Sequence, residues 1–177
     1  MIDGGSFMIQ SYFGNGKGKT TAAIGAAIRC IGCDQKVLVV EFLKNNDSAE
    51  FKVMDTLENI DILFSNEHYE LFDNEKSELT PKFKDAYTKL LFEETAKISK
   101  DYQMIVLDEV LDAVEFGYIE EKAFIKLLNE CKQKTEIILT GHKLPESIAN
   151  VSDYISEIRE INHPYNLGAP SRKGIEY

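Results

Sequence analysis

Tyr12–Thr21 reads YFGNGKGKTT, and these ten residues decide the fold. An apolar run, Phe7 to Phe13, precedes them. An alanine-rich run from Thr21 to Ile31 follows, with Ile24, Ile28 and Ile31 on one helical face. That order is strand, glycine loop, helix. Glycine lets the backbone fold closely around a phosphate, and a helix start points free N–H groups and a positive dipole end at it. Gly14, Asn15, Gly16, Lys17, Gly18, Lys19, Thr20 and Thr21 are therefore the candidate phosphate-binding residues, with Lys19 adding a full charge and Thr20 a hydroxyl for Mg²⁺. The run departs from G-x-x-x-x-G-K-[ST] at one place, where Phe13 stands at the first glycine.

Read outward, the chain alternates strand and helix signals. Gly32 is placed to cap the first helix, and Lys36–Asn45, KVLVVEFLKN, reads as a buried strand. Residues 46–79 are irregular and acidic, with a short strand at Ile60–Phe64 and a cluster of His68, Tyr69, Leu71 and Phe72 where a substrate loop would lie. Thr80 and Pro81 start a helix expected to reach Ser99. Gln103–Val110, QMIVLDEV, is an apolar strand ending in Asp108 and Glu109. Such a strand is expected beside the loop, its terminal acid facing the metal side of the phosphates, where either acid can hold Mg²⁺ directly or through water. A helix over Glu120–Cys131, a strand over Thr135–Gly141, a short helix from Pro145 and a last strand over Tyr154–Ile161 complete the series. The pattern predicts one α/β domain over residues 1–177, P-loop NTPase-like, with a mainly parallel sheet covered by helices on both faces. Its ligands should gather at the carboxyl ends of the strands.

Composition narrows the function classes. A chain of 177 residues with 44% hydrophobic and 28% charged side chains suits one core, and no apolar run approaches the roughly 18 residues of a membrane helix. The opening MIDGGSF lacks the basic and apolar regions of a secretory signal, so a cytoplasmic protein with no membrane partner is expected. A net charge of −10 repels a phosphate backbone and argues against nucleic acid. Cys30 and Cys33 form C-x-x-C, but at the carboxyl end of the first helix, where the dipole raises a thiol pKa. Reduced, partly buried thiols are expected. The histidines at 68, 142 and 163 have no metal-ligand spacing. The tail NHPYNLGAPSRKGIEY cannot be helical, yet Tyr165, Ile175 and Tyr177 give it material to pack and Arg172 and Lys173 could reach an anion.

Together these pieces resemble the P-loop class of ATP:corrinoid adenosyltransferases. The resemblance runs through GNGKGKTTAA (Gly14–Ala23), Arg29, VVEFLKN (Val39–Asn45), MIVLDE (Met104–Glu109), ILTGH (Ile138–His142), SEIRE (Ser156–Glu160) and the ending GAPSRKGIEY. That family's loop also lacks the usual first glycine, so Phe13 supports the match. The resemblance implies that cobalt(I) of cobalamin or a precursor attacks C5′ of ATP and the whole triphosphate leaves. Lys19, the loop N–H groups and Mg²⁺ on Thr20, Asp108 and Glu109 would stabilise the departing anion. It also implies a nucleotide-binding role for Arg29, aromatic side chains around the corrin for which Tyr69 and Phe72 are the candidates, a homodimer, and an electron donor such as a flavoprotein. Many relatives carry an amino-terminal extension over the active site, whereas six residues precede Phe7 here, and the middle loop diverges. Corrinoid preference is left open. The competing readings are a P-loop regulatory module without transfer activity and a RecA-like ATPase.

Overall fold

The structure, a computed structural model, describes residues 7–43, 49–64, 81–95, 101–164, 168 and 170–175. Six strands form one parallel sheet: β1 (Ile9–Phe13), β2 (Val37–Glu41), β3 (Ile60–Phe64), β4 (Met104–Asp108), β5 (Glu136–Gly141) and β6 (Tyr154–Glu157), in the order β3-β2-β4-β5-β1-β6. The helices are α1 (Lys19–Ile31), α2 (Ala49–Met54), α3 (Pro81–Thr88), α4 (Val110–Glu115), α5 (Glu121–Cys131) and α6 (Glu146–Ala149). α3 widens into a π-helical stretch over Lys89–Thr95.

Strand alternation explains why both sheet faces are covered. Val37, Val39, Val106 and Ile138 point to one face and pack with Ala23 and Ala27 of α1 and Met54 of α2. Leu38, Val40, Ile105, Leu107, Ile137 and Leu139 point to the other, against Leu91, Leu111, Phe124 and Leu128. Each central strand is therefore apolar throughout, as a strand buried on both faces must be. The alanines of α1 let that helix lie close to the sheet. On the opposite face, Tyr87 packs its ring on Phe42 and Tyr118, and its hydroxyl accepts the Leu43 N–H at 3.1 Å.

β5 stands between β4 and the loop strand, paired with both, and the end of β4 still reaches the loop through Asp108 and Thr20. Gly32 caps α1 as expected, in a right-handed conformation at φ −63° with its N–H on the Ile28 carbonyl, and a left-handed residue, Asp34 at φ 58°, follows it. Two helices lie where the sequence pattern predicts none, α2 inside the stretch that reads as irregular and α4 directly after the two carboxylates. The final strand is also shorter than expected and lies exposed at the sheet edge. His68, Tyr69, Leu71 and Phe72, the end of the helix expected at Ser99, and Tyr165 and Tyr177 lie outside the described residues. Among the described residues, no helix is long and apolar enough to cross a membrane.

α4 sits on the end of β5 more closely than a side chain would allow. A Cβ on Gly141 would lie 2.5 Å from Leu111 Cβ and 3.1 Å from the Asp112 backbone nitrogen. Backbone on one side leaves little room to relax. Gly141→Ala is therefore expected to destabilise the fold by about 1–3 kcal/mol through overpacking. An unchanged urea midpoint would show that α4 is seated more loosely.

Candidate active site

The loop is shaped by the segment that follows β6. Ile158 donates its N–H to Phe13 O at 2.7 Å and accepts the Gly16 N–H at 2.8 Å, and Glu160 N–H donates to Asn15 Oδ1 at 3.1 Å. These contacts explain two of the glycines. Gly14 takes φ 116°, and a Cβ there would fall 2.3 Å from Ile158 O; a Cβ on Gly16 would fall 2.7 Å from the Arg159 carbonyl carbon. Gly18 differs, because a Cβ there would meet nothing within 4 Å and only its φ of 111° asks for glycine.

Gly18 also begins α1, with no side-chain cap and no acid in the first turn. The opening N–H groups of a thirteen-residue helix thus face the loop with no acid in the helix's own first turn. Lys19 Nζ donates to Gly16 O at 2.9 Å, which places the ammonium over the loop. Lys17 Nζ donates to Ile175 O at 2.8 Å, so the tail does come to the loop, through a backbone carbonyl, while Arg172 and Lys173 lie exposed.

Thr20 and Asp108 meet across the sheet end. The Thr20 hydroxyl lies 3.0 and 3.1 Å from the two Asp108 carboxylate oxygens, and Asp108 is 1% exposed. Thr140 makes this possible. From the intervening strand β5, its hydroxyl donates to Asp108 Oδ1 at 2.6 Å and accepts the Glu109 N–H at 2.8 Å. Glu109, at φ 59°, is the left-handed residue that turns β4 into α4. The donors Thr20 and Asp108 are hard oxygens, the type that suits Mg²⁺. Among the described residues no cluster of three or more His, Cys, Asp or Glu forms a cage for a metal, so an ion here would draw further ligands from a phosphate or water.

Sequence reading brings Gly14 to Thr21, Asp108 and Glu109 to one place, and they lie there together. Arg29 does not join them in this chain. It is exposed in the last turn of α1, about 15 Å along the helix from Lys19, and its charge falls near the Tyr12 hydroxyl. Tyr69 lies outside the described residues. Cys30 is partly buried, and burial is the largest cause raising its thiol pKa, with the neighbouring Cys33 adding to it.

Sequence reading misses Glu41, Thr140, Asp112 and His142. Glu41 is 2% exposed at the end of β2, in register with Asp108. His142 follows β5, its carbonyl accepts the Gly14 N–H at 3.1 Å, and its backbone N–H and ring Nδ1 both meet Asp112. A polar residue at the carboxyl end of an otherwise apolar strand is the signal that could have found Thr140.

A parallel sheet with this loop, a lysine over it, and a threonine and a buried aspartate at the strand ends define a P-loop nucleotide-binding protein. The sequence pattern of the family "ATP:corrinoid adenosyltransferase BtuR/CobO/CobP" matches residues 6–177, and the chain belongs to that family. It is 29% identical to a corrinoid adenosyltransferase of Escherichia coli K12 over 96% of this chain and 85% of the relative. It is 28% identical, with the same coverage, to the corrinoid adenosyltransferase CobA of Salmonella typhimurium LT2. A corrinoid adenosyltransferase of Pseudomonas aeruginosa is 24% identical over 93% of this chain and 80% of the relative.

Thr140 anchors the buried carboxylate, so Thr140→Val should lower stability by about 1–3 kcal/mol by taking one partner from Asp108 and from the Glu109 N–H. Urea unfolding at unchanged m value checks this; a midpoint equal to wild type would contradict it.

Proposed function

We propose that the chain transfers the 5′-deoxyadenosyl group of ATP to cobalt(I) of cobalamin or a cobalamin precursor, with residues 14–21 holding the triphosphate. The observation that carries this reading is the convergence of Lys19, Thr20 and Asp108 on one loop at the carboxyl edge of the sheet, within a chain of this family. Cobalt(I) supplies the electron pair that forms the Co–C5′ bond, the C5′–O bond breaks, and its electrons leave with the triphosphate. No phosphorus is attacked. The site's task is therefore to bind an anion whose charge grows as the bond breaks, and to exclude competing hydrolysis.

Lys19 supplies the cation, and the N–H groups of residues 17–20 supply fixed donors. Gly14 and Gly16, held open by residues 158–160, keep the loop shaped before the nucleotide arrives. A Mg²⁺ ion bound with the nucleotide would neutralise departing charge, with Thr20 and Asp108 as its protein donors and Glu109 beside them. Asp108, fixed by Thr140, positions that corner. Nothing in this displacement needs a general base. The reaction does need a one-electron donor, such as a flavoprotein, to deliver cobalt(I). We further propose a cytoplasmic homodimer with ATP and corrinoid as its small-molecule partners and no nucleic-acid or membrane partner; light scattering giving twice 20.1 kDa would support the dimer.

Two outcomes test the assignment. Lys19→Ala should weaken ATP binding by about 100-fold or more in calorimetry, the scale expected when a cradle gives up a charge-assisted hydrogen bond. Turnover of wild type with ATP, Mg²⁺ and reduced corrinoid should release tripolyphosphate in step with the cobalt–carbon product. ADP and orthophosphate at an ordinary ATPase rate, with no tripolyphosphate, would instead identify a hydrolase, and no turnover of either kind a binding module. Glu109→Gln should slow transfer at limiting Mg²⁺ while the protein stays folded, and wild-type rates there would remove Glu109 from the metal site.

A further inference from the structure

Asp112 and His142 form a pair that the adenosyl-transfer reading does not use. Asp112 lies in α4, is 4% exposed, and is the carboxylate that the close seating of α4 on Gly141 brings to the end of β5. Its two oxygens accept the His142 backbone N–H at 3.0 and 3.1 Å, and Oδ2 lies 3.0 Å from His142 Nδ1. A carboxylate beside Nδ1 makes that nitrogen a donor. Nε2 is then left on the opposite edge of a ring whose side chain is 62% exposed. The His142 carbonyl meanwhile accepts the Gly14 N–H, so the residue's backbone stands against the phosphate loop, and the Lys19 charge of that loop acts on its ring.

The charges that face this imidazole come from three elements: Asp112 from α4, Lys19 from α1, and Glu109 from the turn between β4 and α4. Lys143 follows in the chain, but its ammonium pairs with Glu115. The Asp112 hydrogen bond is the largest influence and holds the His142 pKa above the ordinary imidazole value; burial and Lys19 oppose it. A ring so placed is a preoriented cationic donor at the edge of an anion site. Its alternative role is a plain staple between α4 and β5.

We propose that His142 is a phosphate-binding residue of the nucleotide site, oriented by Asp112 so that Nε2–H donates to an oxygen of the triphosphate and of the tripolyphosphate that leaves. This rests on residues 14–21 being the triphosphate site. Asp112 is the positioning residue, because it acts through the ring and reaches no phosphate itself. The hydrogen bond is charge-assisted only while the imidazole is protonated. With the folded-state pKa raised, that bond is complete well below it and fades as pH rises through it.

The test is calorimetric titration of the full chain with tripolyphosphate in EDTA, across the neutral range, for wild type, His142→Gln, His142→Arg, Asp112→Asn and Lys19→Ala. The ligand's own titration is common to all five proteins, so the ratio of affinities against pH is what is read. His142→Gln should bind about 10-fold more weakly at the acid end, the scale of one charge-assisted hydrogen bond, and the deficit should shrink as pH rises. His142→Arg should bind as tightly as wild type at the acid end and stay tight at the alkaline end. Asp112→Asn should move the loss of affinity to lower pH. Equal affinities for wild type and His142→Gln at every pH, with a lowered urea midpoint or none, would reduce the pair to a staple and overturn the proposal. Lys19→Ala separates the two readings: unchanged affinity there would overturn the loop assignment and this inference with it, whereas a large loss beside a silent His142→Gln would overturn only the inference. His142→Arg, a substitution at an exposed position, supplies the pH readout should Asp112→Asn fail to fold.

Discussion

The packing of the loop glycines against the backbone of Ile158 and Arg159 is the constraint on which the site depends. Gly16 N–H to Ile158 O and Ile158 N–H to Phe13 O tie the loop to the strand end beyond β6. Two glycines are needed because main chain, not side chain, lies against them. A loop held this way keeps its shape without a ligand, so less ordering is left for the moment of binding. Phe13 at the place of the usual first glycine fits the same picture, since the chain there is still paired in β1 with Gly141 and Glu157.

The second organising feature is β5, which separates the loop strand from the strand that carries Asp108. Thr20 and Asp108 come from elements that flank it, and Thr140 fills the gap with two hydrogen bonds. One residue further on, Gly141 admits α4, and next to it His142 joins Asp112 to the loop. Three consecutive residues of one strand end thus set the positions of an acid, a helix and a ring. Each is a different kind of interaction: a hydroxyl bridge, a missing Cβ, and an ion pair.

Much of this is legible in the sequence, for identifiable reasons. β3 reads with its observed bounds, because IDILF is a short apolar run in polar surroundings, and α5 reads from Phe124, Leu127, Leu128 and Cys131 on one face. The glycine run points to a phosphate loop because few other uses require glycine, lysine and threonine at that spacing, and the strand, loop and helix it predicts are β1, residues 14–18 and α1. α4 is not legible: Val110 to Val114 are all buried, so no amphipathic period marks them, and the helix starts from a left-handed glutamate without a side-chain cap. The placing of β5 between β1 and β4 is a tertiary choice that strand patterns do not encode. Arg29 enters the site through resemblance alone, and in one chain the length of α1 carries it away from the loop.

The tie between Gly16 and Ile158 also bears on the order in which the protein is made. Strand β1 pairs Gln10 with Tyr154, and the Ile9 N–H donates to Asp153, residues 144 apart in sequence. Contacts this distant are slow to form and come late in folding. In a nascent chain the glycine loop is synthesised long before the backbone of residues 158–160 that shapes it. The central strands β2, β4 and β5 can assemble first. The loop thereby takes its shape only once residues 158–160 have docked against it.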